Sequence, residues 1–181
     1  MRFTVGPIVV QICAFEVPPS EDEAFVAASP AGATMHRALR EDADFRFVAI
    51  GPAGWRADVP FSSHCSAYEV AHEDGRPEGA EGTTLINPFE VPDGEDERFI
   101  SAWAAARDVL AGRQGYQGTR LHRSEGAADF RFVNVARWSS PLMFARALQD
   151  PAFQVVAGAM PFASHPALYL VERAAHPRPA R

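Results

Sequence analysis

Lysine is missing altogether from this 181-residue chain, so arginine supplies its permanent positive charge and the balance still falls to −6 at neutral pH. No basic cluster offsets that deficit. The chain therefore lacks the cationic face that displaces counterions from nucleic acid or an anionic membrane, and neither partner is expected. Cysteine is nearly as scarce: Cys13 and Cys65 have no Cys or His at metal-ligand spacing beside them and are read as buried thiols rather than a disulfide. The apolar run from Ile8 to Phe15 is too short to span a bilayer and no small-residue cleavage site follows it, so it reads as a first strand. A soluble, cytoplasmic protein is the expectation. With abundant Ala, Gly and Pro, the lack of lysine looks like coding in a GC-rich genome.

What is present is a duplication. Phe15-Glu-Val-Pro-Pro-Ser-Glu-Asp-Glu-Ala-Phe25 returns as Phe89-Glu-Val-Pro-Asp-Gly-Glu-Asp-Glu-Arg-Phe99, and Ala43-Asp-Phe-Arg-Phe-Val48 returns unchanged as Ala128–Val133. Pro60-Phe-Ser-Ser-His64 with Tyr68 is repeated as Pro161-Phe-Ala-Ser-His165 with Tyr169. The offset between matched blocks grows along the chain, so the second copy holds segments that the first lacks, and both read as helix. With 47% apolar residues, the chain can bury one good core or two small ones fused into one body.

In the second copy the hydrophobic period changes from strand to helix and back. Thr84–Val91 reads as a strand stopped by Pro92; Glu95–Ala111 carries Phe99, Ile100, Trp103, Ala106, Val109 and Leu110 at helical spacing. Tyr116–Arg123 and Asp129–Trp138 follow as strands, Ser139 or Ser140 can cap a helix interrupted at Asp150-Pro151, and Ala167–Arg173 closes the unit. This βαββαβ order is a ferredoxin-like α+β unit. The first copy keeps strands at Ile8–Val17, Thr34–Leu39, Asp44–Ile50 and Ser66–Ala71, but its first helix shrinks to Glu21–Ala28 and Gly51-Pro-Ala-Gly54 replaces the second. Its sheet then needs another cover. The expected architecture is two tandem ferredoxin-like units, residues 1–72 and 83–175, joined by a linker at 73–82 and followed by a tail at 176–181. Their sheets would pack face to face as a single-chain pseudo-dimer.

Chemistry is sought on the strand Asp129–Trp138. Two-residue alternation places Phe130, Phe132, Asn134, Ala136 and Trp138 on one face. An amide on an apolar face must find a backbone, water or ligand partner, and the first copy has Ala49 where the second has Asn134. Asn87 repeats the pattern, its counterpart being Cys13. Both polar residues fall in the copy that kept its helices, which is taken as the working half, with the first as scaffold.

The run Phe132-Val-Asn134-Val-Ala-Arg-Trp138-Ser-Ser, followed by a helix and a Pro-Phe-x-x-His-x-x-x-Tyr approach to the last strand, resembles the antibiotic biosynthesis monooxygenase family, whose units pair as dimeric α/β-barrels. The Asn-x-x-x-Trp spacing is similar to that of its cofactor-free anthrone monooxygenases of aromatic polyketide pathways. The resemblance implies a fused form of the family's usual homodimer, working as a monomer or pairing again. It also implies O2 insertion into a flat, acidic phenolic substrate with no metal, flavin or other cofactor. Asn134 would bond the oxygen where charge develops, Trp138 would stack or donate its indole N–H, and Asn87, Trp103, Phe130, Phe132, Met143, Phe144 and Tyr169 would bind substrate.

Two departures from the family pattern stand out. A tyrosine that some members place in the helix after the Trp is Phe144 here, and the axial His of heme-degrading members has no equivalent in Phe153-Gln-Val-Val-Ala157. His165 is a candidate proton acceptor, with His122 as its rival, although the repetition of His165 and Tyr169 as His64 and Tyr68 favours a structural role. A polyketide cyclase or a non-catalytic binding protein would use a similar pocket.

Overall fold

A computed structural model describes residues 8–79 and 81–172; residues 176–181, expected as a tail, and Arg173, expected to end the last strand, lie outside them. The first half comprises β1 (Val9–Glu16), α1 (Asp22–Ala28), β2 (Thr34–Ala38), β3 (Phe47–Pro52) and β4 (Ser62–Gly75). The second comprises β5 (Thr83–Glu90), α2 (Asp96–Ala111), β6 (Tyr116–Ser124), β7 (Phe132–Trp138), α3 (Pro141–Leu148), α4 (Pro151–Gly158), β8 (Ala163–Ser164) and β9 (Ala167–Val171). Strand order within the first half is β4-β1-β3-β2, and within the second β9-β5-β7-β6. The two orders are the same ferredoxin-like arrangement.

Antiparallel ladders β4–β6 and β2–β9 join the half-sheets at both edges, so eight strands close into a barrel, with β8 added along β5. Closure leaves the eight strands of the barrel without a free edge. In the barrel interior Ile12, Val48 and Tyr68 of one half pack with Ile86, Val133, Val135 and Tyr169 of the other. The edge ladders are the part that composition did not show. They also correct the expected linker, because β4 runs on through Glu73 and Asp74 to Gly75, paired with β6.

A buried tyrosine needs a partner for its hydroxyl, and here each reaches into the opposite half: Tyr68 donates to the Phe130 carbonyl and Tyr169 to the Phe45 carbonyl, both at 2.9 Å. Tyr169 is thus a barrel-core residue and not a substrate-binding one. His36 and His122 occupy matching buried positions, each with Nδ1 on the carbonyl of a β3 or β7 valine, Val48 or Val133. Burial pulls both rings down to about 4, so they are neutral structural groups at pH 7. His122 pairs with Val133 on the barrel-interior face, away from the outer face that carries Asn134, and this position removes it as a proton acceptor.

Repeated sequence gives repeated clamps outside the barrel. Arg46 forks onto Asp22 in the first turn of α1, and Arg131 onto Asp96 in the first turn of α2. Phe25 stacks on Phe47, and Phe99 on Phe132, with ring centroids 4.3 Å apart in both halves. Helix α3 begins at a capped terminus, the Met143 N–H donating to Ser140 Oγ.

The cysteines are corrected as well. Cys13 and Cys65 are directly opposed on β1 and β4 with Cα atoms 4.1 Å apart, and they form a disulfide. Register brings together two residues that sequence spacing keeps apart.

Candidate active site

The chain contains two asparagines, and the β5–β7 ladder sets them opposite one another as the pair Asn87↔Asn134. Both project from the outer face of the sheet toward α2, α3 and α4, where they line a cavity of about 910 Å³. That is room for a polycyclic ligand of several fused rings. The Asn134 Oδ1 accepts from the Thr119 hydroxyl at 2.8 Å, and the Asn87 Oδ1 accepts from the His165 backbone N–H at 3.1 Å. With both carbonyl oxygens committed to the protein, the two NH2 groups are the donors left for a ligand.

Around these amides the wall is apolar. Leu85, Ala136 and Trp138 continue the sheet face, while Trp103 and Leu110 from α2 and Phe144 from α3 close it from above. Trp138 is fully buried, its ring meets Phe144 and Tyr116 edge-on, and its indole N–H has no hydrogen-bond partner among the described residues. An orphaned donor in a cavity wall is one that a ligand oxygen can satisfy.

The first half shows the equivalent site narrowed by a side chain. Cys13 and Ala49 are register partners just as Asn87 and Asn134 are, but Trp55 lies over them, against Gly51 and Gly32, with its indole N–H on the Ala31 carbonyl at 3.1 Å. A side chain at Gly51 would collide with Trp55. Trp55 thus takes up much of the equivalent space in the first half, leaving a smaller cavity of about 410 Å³ beside Cys13 and Cys65.

Of the sequence candidates, Asn87, Asn134, Trp138, Trp103 and Phe144 come together around the cavity. Phe132 does not, being stacked under Phe99, and Met143 packs against the turn at Gly115. Phe130 precedes β7, where the two-residue alternation has not begun, and sits at the barrel end against Phe45. His165 also lies there, with its ring on Phe130, its Nδ1 2.7 Å from Asp44 and its Nε2 3.6 Å from Glu90. Its imidazole stands outside the cavity, and only its backbone N–H reaches the site. His64 is its repeat, held by Asp129 and Glu16; partial burial lowers it, but the two carboxylates outweigh that and keep it above the usual range.

Sequence reading missed two contributions. The loop after β2 brings Leu39, Arg40 and Asp44 of the first half to the cavity mouth, so that half is more than scaffold. On the far side Tyr116 and Arg107 line the cavity, and both are tied to Asp74 of β4. The alternating half-burial of β4 from Ala71 to Gly75 was a period-two pattern in a segment whose charge made it look like a linker. Among the described residues neither a histidine nor a cysteine lines the cavity and no three potential metal ligands cluster, so a heme iron would find no imidazole or thiolate from them here.

The family model for antibiotic biosynthesis monooxygenases matches residues 83–158. A putative monooxygenase from Shewanella loihica is 38% identical and is matched over 99% of its length by 53% of this chain, with a TM-score of 0.46. The chain belongs to the antibiotic biosynthesis monooxygenase family. SnoaB, a cofactor-independent oxygenase from Streptomyces nogalater, is 30% identical over its whole length and 55% of this chain, with a TM-score of 0.47. An anthrone oxidase-like protein matches 96% of this chain and 95% of its own at a TM-score of 0.65 and 16% identity, a likeness of fold across the entire barrel. No curated protein matches the chain significantly. Family membership covers the half that holds the two asparagines, Trp138 and the three helices above them.

Proposed function

We propose that this family member is a cofactor-independent monooxygenase acting on a flat, acidic phenolic of the anthrone or aromatic polyketide type. The observation that carries this reading is the pair of amide NH2 groups, side by side on the floor of an otherwise apolar cavity beside the unpartnered Trp138 indole. Together they would stabilise an oxyanion that forms when the substrate loses a proton. The anion then passes one electron to O2, and the resulting radicals combine to a peroxide at the same carbon. Protonated, that peroxide collapses to the quinone carbonyl and water. The protein's work is to orient, to exclude bulk water and to favour the anion. Asn134 and Asn87 would hold the charged oxygen, and Trp138, Trp103 and Phe144 would clamp the rings.

A single chain supplies both halves of the barrel, and we propose that it acts as a fused pseudo-dimer. Light scattering on the purified protein tests this, a monomer of 19.7 kDa being expected.

The activity is tested by supplying 1,8-dihydroxyanthrone and 18O2 to protein freed of metal and flavin. Incorporation of one labelled atom into the quinone, faster than the spontaneous reaction, supports the proposal. Binding without O2 consumption would point to the cyclase or binding-protein readings and contradict it. Among the described residues no helix is long and apolar enough to cross a membrane, and a small aromatic substrate with O2 remains the proposed partner set.

A further inference from the structure

The proposed reaction needs a group that takes a proton from the substrate, and among the described residues no histidine lines the cavity. A row of hydroxyls and a carboxylate does lead away from the amides. The Thr119 hydroxyl bonds Asn134 Oδ1 at 2.8 Å, and Thr119 and Tyr116 both line the cavity. Tyr116 donates to Asp74 Oδ1 at 2.7 Å, while Asp74 Oδ2 lies 3.0 Å from Arg107 and 3.4 Å from His72 on the more open side. Tyr116 and Thr119 would fall on opposite faces of a regular strand, but the register of β6 shifts between Tyr116 and Gly118, and this bulge turns both toward the cavity. Gly75 and Gly118 are register partners where β4 crosses the bulge, and a side chain on either would strike the opposing backbone. Two glycines and a bulge thus serve to bring the end of a first-half strand against the second-half cavity.

We infer that Asp74, supplied by the first half, is the terminal acceptor of the substrate proton, and that Tyr116 relays it. The inference rests on the monooxygenase reading for its substrate class. In the forward step the substrate C–H bond breaks, its proton passes to Tyr116 Oη as the Tyr116 proton passes to Asp74 Oδ1, and the electron pair stays on the substrate as an anion held by the asparagine amides. O2 adds to that carbon to give a peroxide anion. Asp74 then returns the proton through Tyr116 to the peroxide, which releases water and leaves the carbonyl, so one R2CH2 and one O2 give one R2C=O and one H2O. Burial raises the Asp74 carboxyl, but Tyr116, His72 and Arg107 outweigh it and hold it below the usual carboxylate range, so it stands ionised with an oxygen open to the Tyr116 proton. It is a weak base that carries the proton only transiently, and the proton is drawn back in the second transfer.

The test is anaerobic binding of 1,8-dihydroxyanthrone, with the ionised fraction read from its absorbance, followed by O2 uptake, in wild type, Asp74→Asn and Tyr116→Phe. Thermal melts verify folding, and Tyr116→Phe, which keeps the ring against Trp138, serves if Asp74→Asn does not fold. We expect both variants to bind the anthrone within about threefold of wild type while turnover falls about 100-fold and the bound ligand stays protonated. Wild-type rates and ionisation in both variants would overturn the inference and leave the monooxygenase reading standing. Ionisation that depends on Asp74 with no O2 uptake in wild type would support the inference and refute that reading. A wild-type protein that binds the anthrone without ionising it would overturn the inference directly.

Discussion

The duplicated arginine clamps allow one substitution to be made twice in the same molecule, in surroundings that differ mainly in burial. Arg46 is paired with Asp22 by bonds of 2.6 to 3.1 Å, its remaining nitrogen donates to the Ala38 and Arg40 carbonyls, and the two side chains are 9% and 12% exposed. Arg131 makes the matching fork onto Asp96 and donates to the Ser124 carbonyl, but its pair is 29% and 25% exposed. Removing Arg46 leaves the buried Asp22 carboxylate with only the longer Arg37 contact at 3.9 Å, at a cost of about 3–5 kcal/mol, whereas water can reach Asp96 and cut the loss to about 1–2 kcal/mol. Arg46→Ala is therefore expected to be the more damaging change, lowering the melting temperature by on the order of 10 °C against a few degrees for Arg131→Ala. Urea unfolding followed by tryptophan fluorescence measures both. The hydrogen bonds from Arg131 hold the Asp96 carboxyl below its usual range, so its contribution is complete above about pH 4 and fades as pH falls through the folded-state value. Arg131→Ala should remove that part of the acid sensitivity. Equal losses for the two variants, or a loss below about 1 kcal/mol for Arg46→Ala, would refute the argument from burial.

Trp55→Ala is expected to empty the first-half counterpart of the site, costing about 3–5 kcal/mol in urea unfolding and adding a second anthrone-binding site by calorimetry. That site should bind without oxidation, since Cys13 and Ala49 offer no amide there. Thiol titration of the unreduced, denatured protein should find no free cysteine, and reduction should lower stability by about 2–4 kcal/mol; two free thiols before reduction would contradict the Cys13–Cys65 bridge. Thr119→Val should leave the protein folded but slow turnover about tenfold, because Asn134 loses the hydroxyl that fixes its amide. An unchanged rate in steady-state O2 uptake would show that Asn134 needs no such anchor.

The duplication was legible because two copies of Phe-Glu-Val-Pro and Ala-Asp-Phe-Arg-Phe-Val still build the same strands, stacked rings and arginine clamps. Asn87 and Asn134 were legible for the same reason, each standing against an apolar counterpart in the other copy. Barrel closure was not, since a strand's sequence records which face is buried and says little of which edge it pairs along. The disulfide was set aside in favour of buried thiols because only the β1–β4 register sets Cys13 against Cys65. Phe130 was misplaced when alternation was carried back beyond Phe132, where β7 begins. His165 could be seen as repeated, but its Asp44 partner lies in the other half. The first-half share of the site was hidden by charge: Glu73-Asp-Gly reads as linker, yet at a barrel seam one edge of such a strand pairs with β6 and brings Asp74 to Tyr116.

The central claim is that the second-half amides drive oxygen chemistry without a cofactor. Its most direct test is O2 uptake on 1,8-dihydroxyanthrone by metal- and flavin-free wild type beside Asn134→Ala. Loss of one donor to the developing oxyanion is expected to lower the turnover rate about 100- to 1000-fold, with the fold unchanged. Uptake by the variant equal to that of wild type, or wild-type uptake no faster than the spontaneous reaction, would contradict the account.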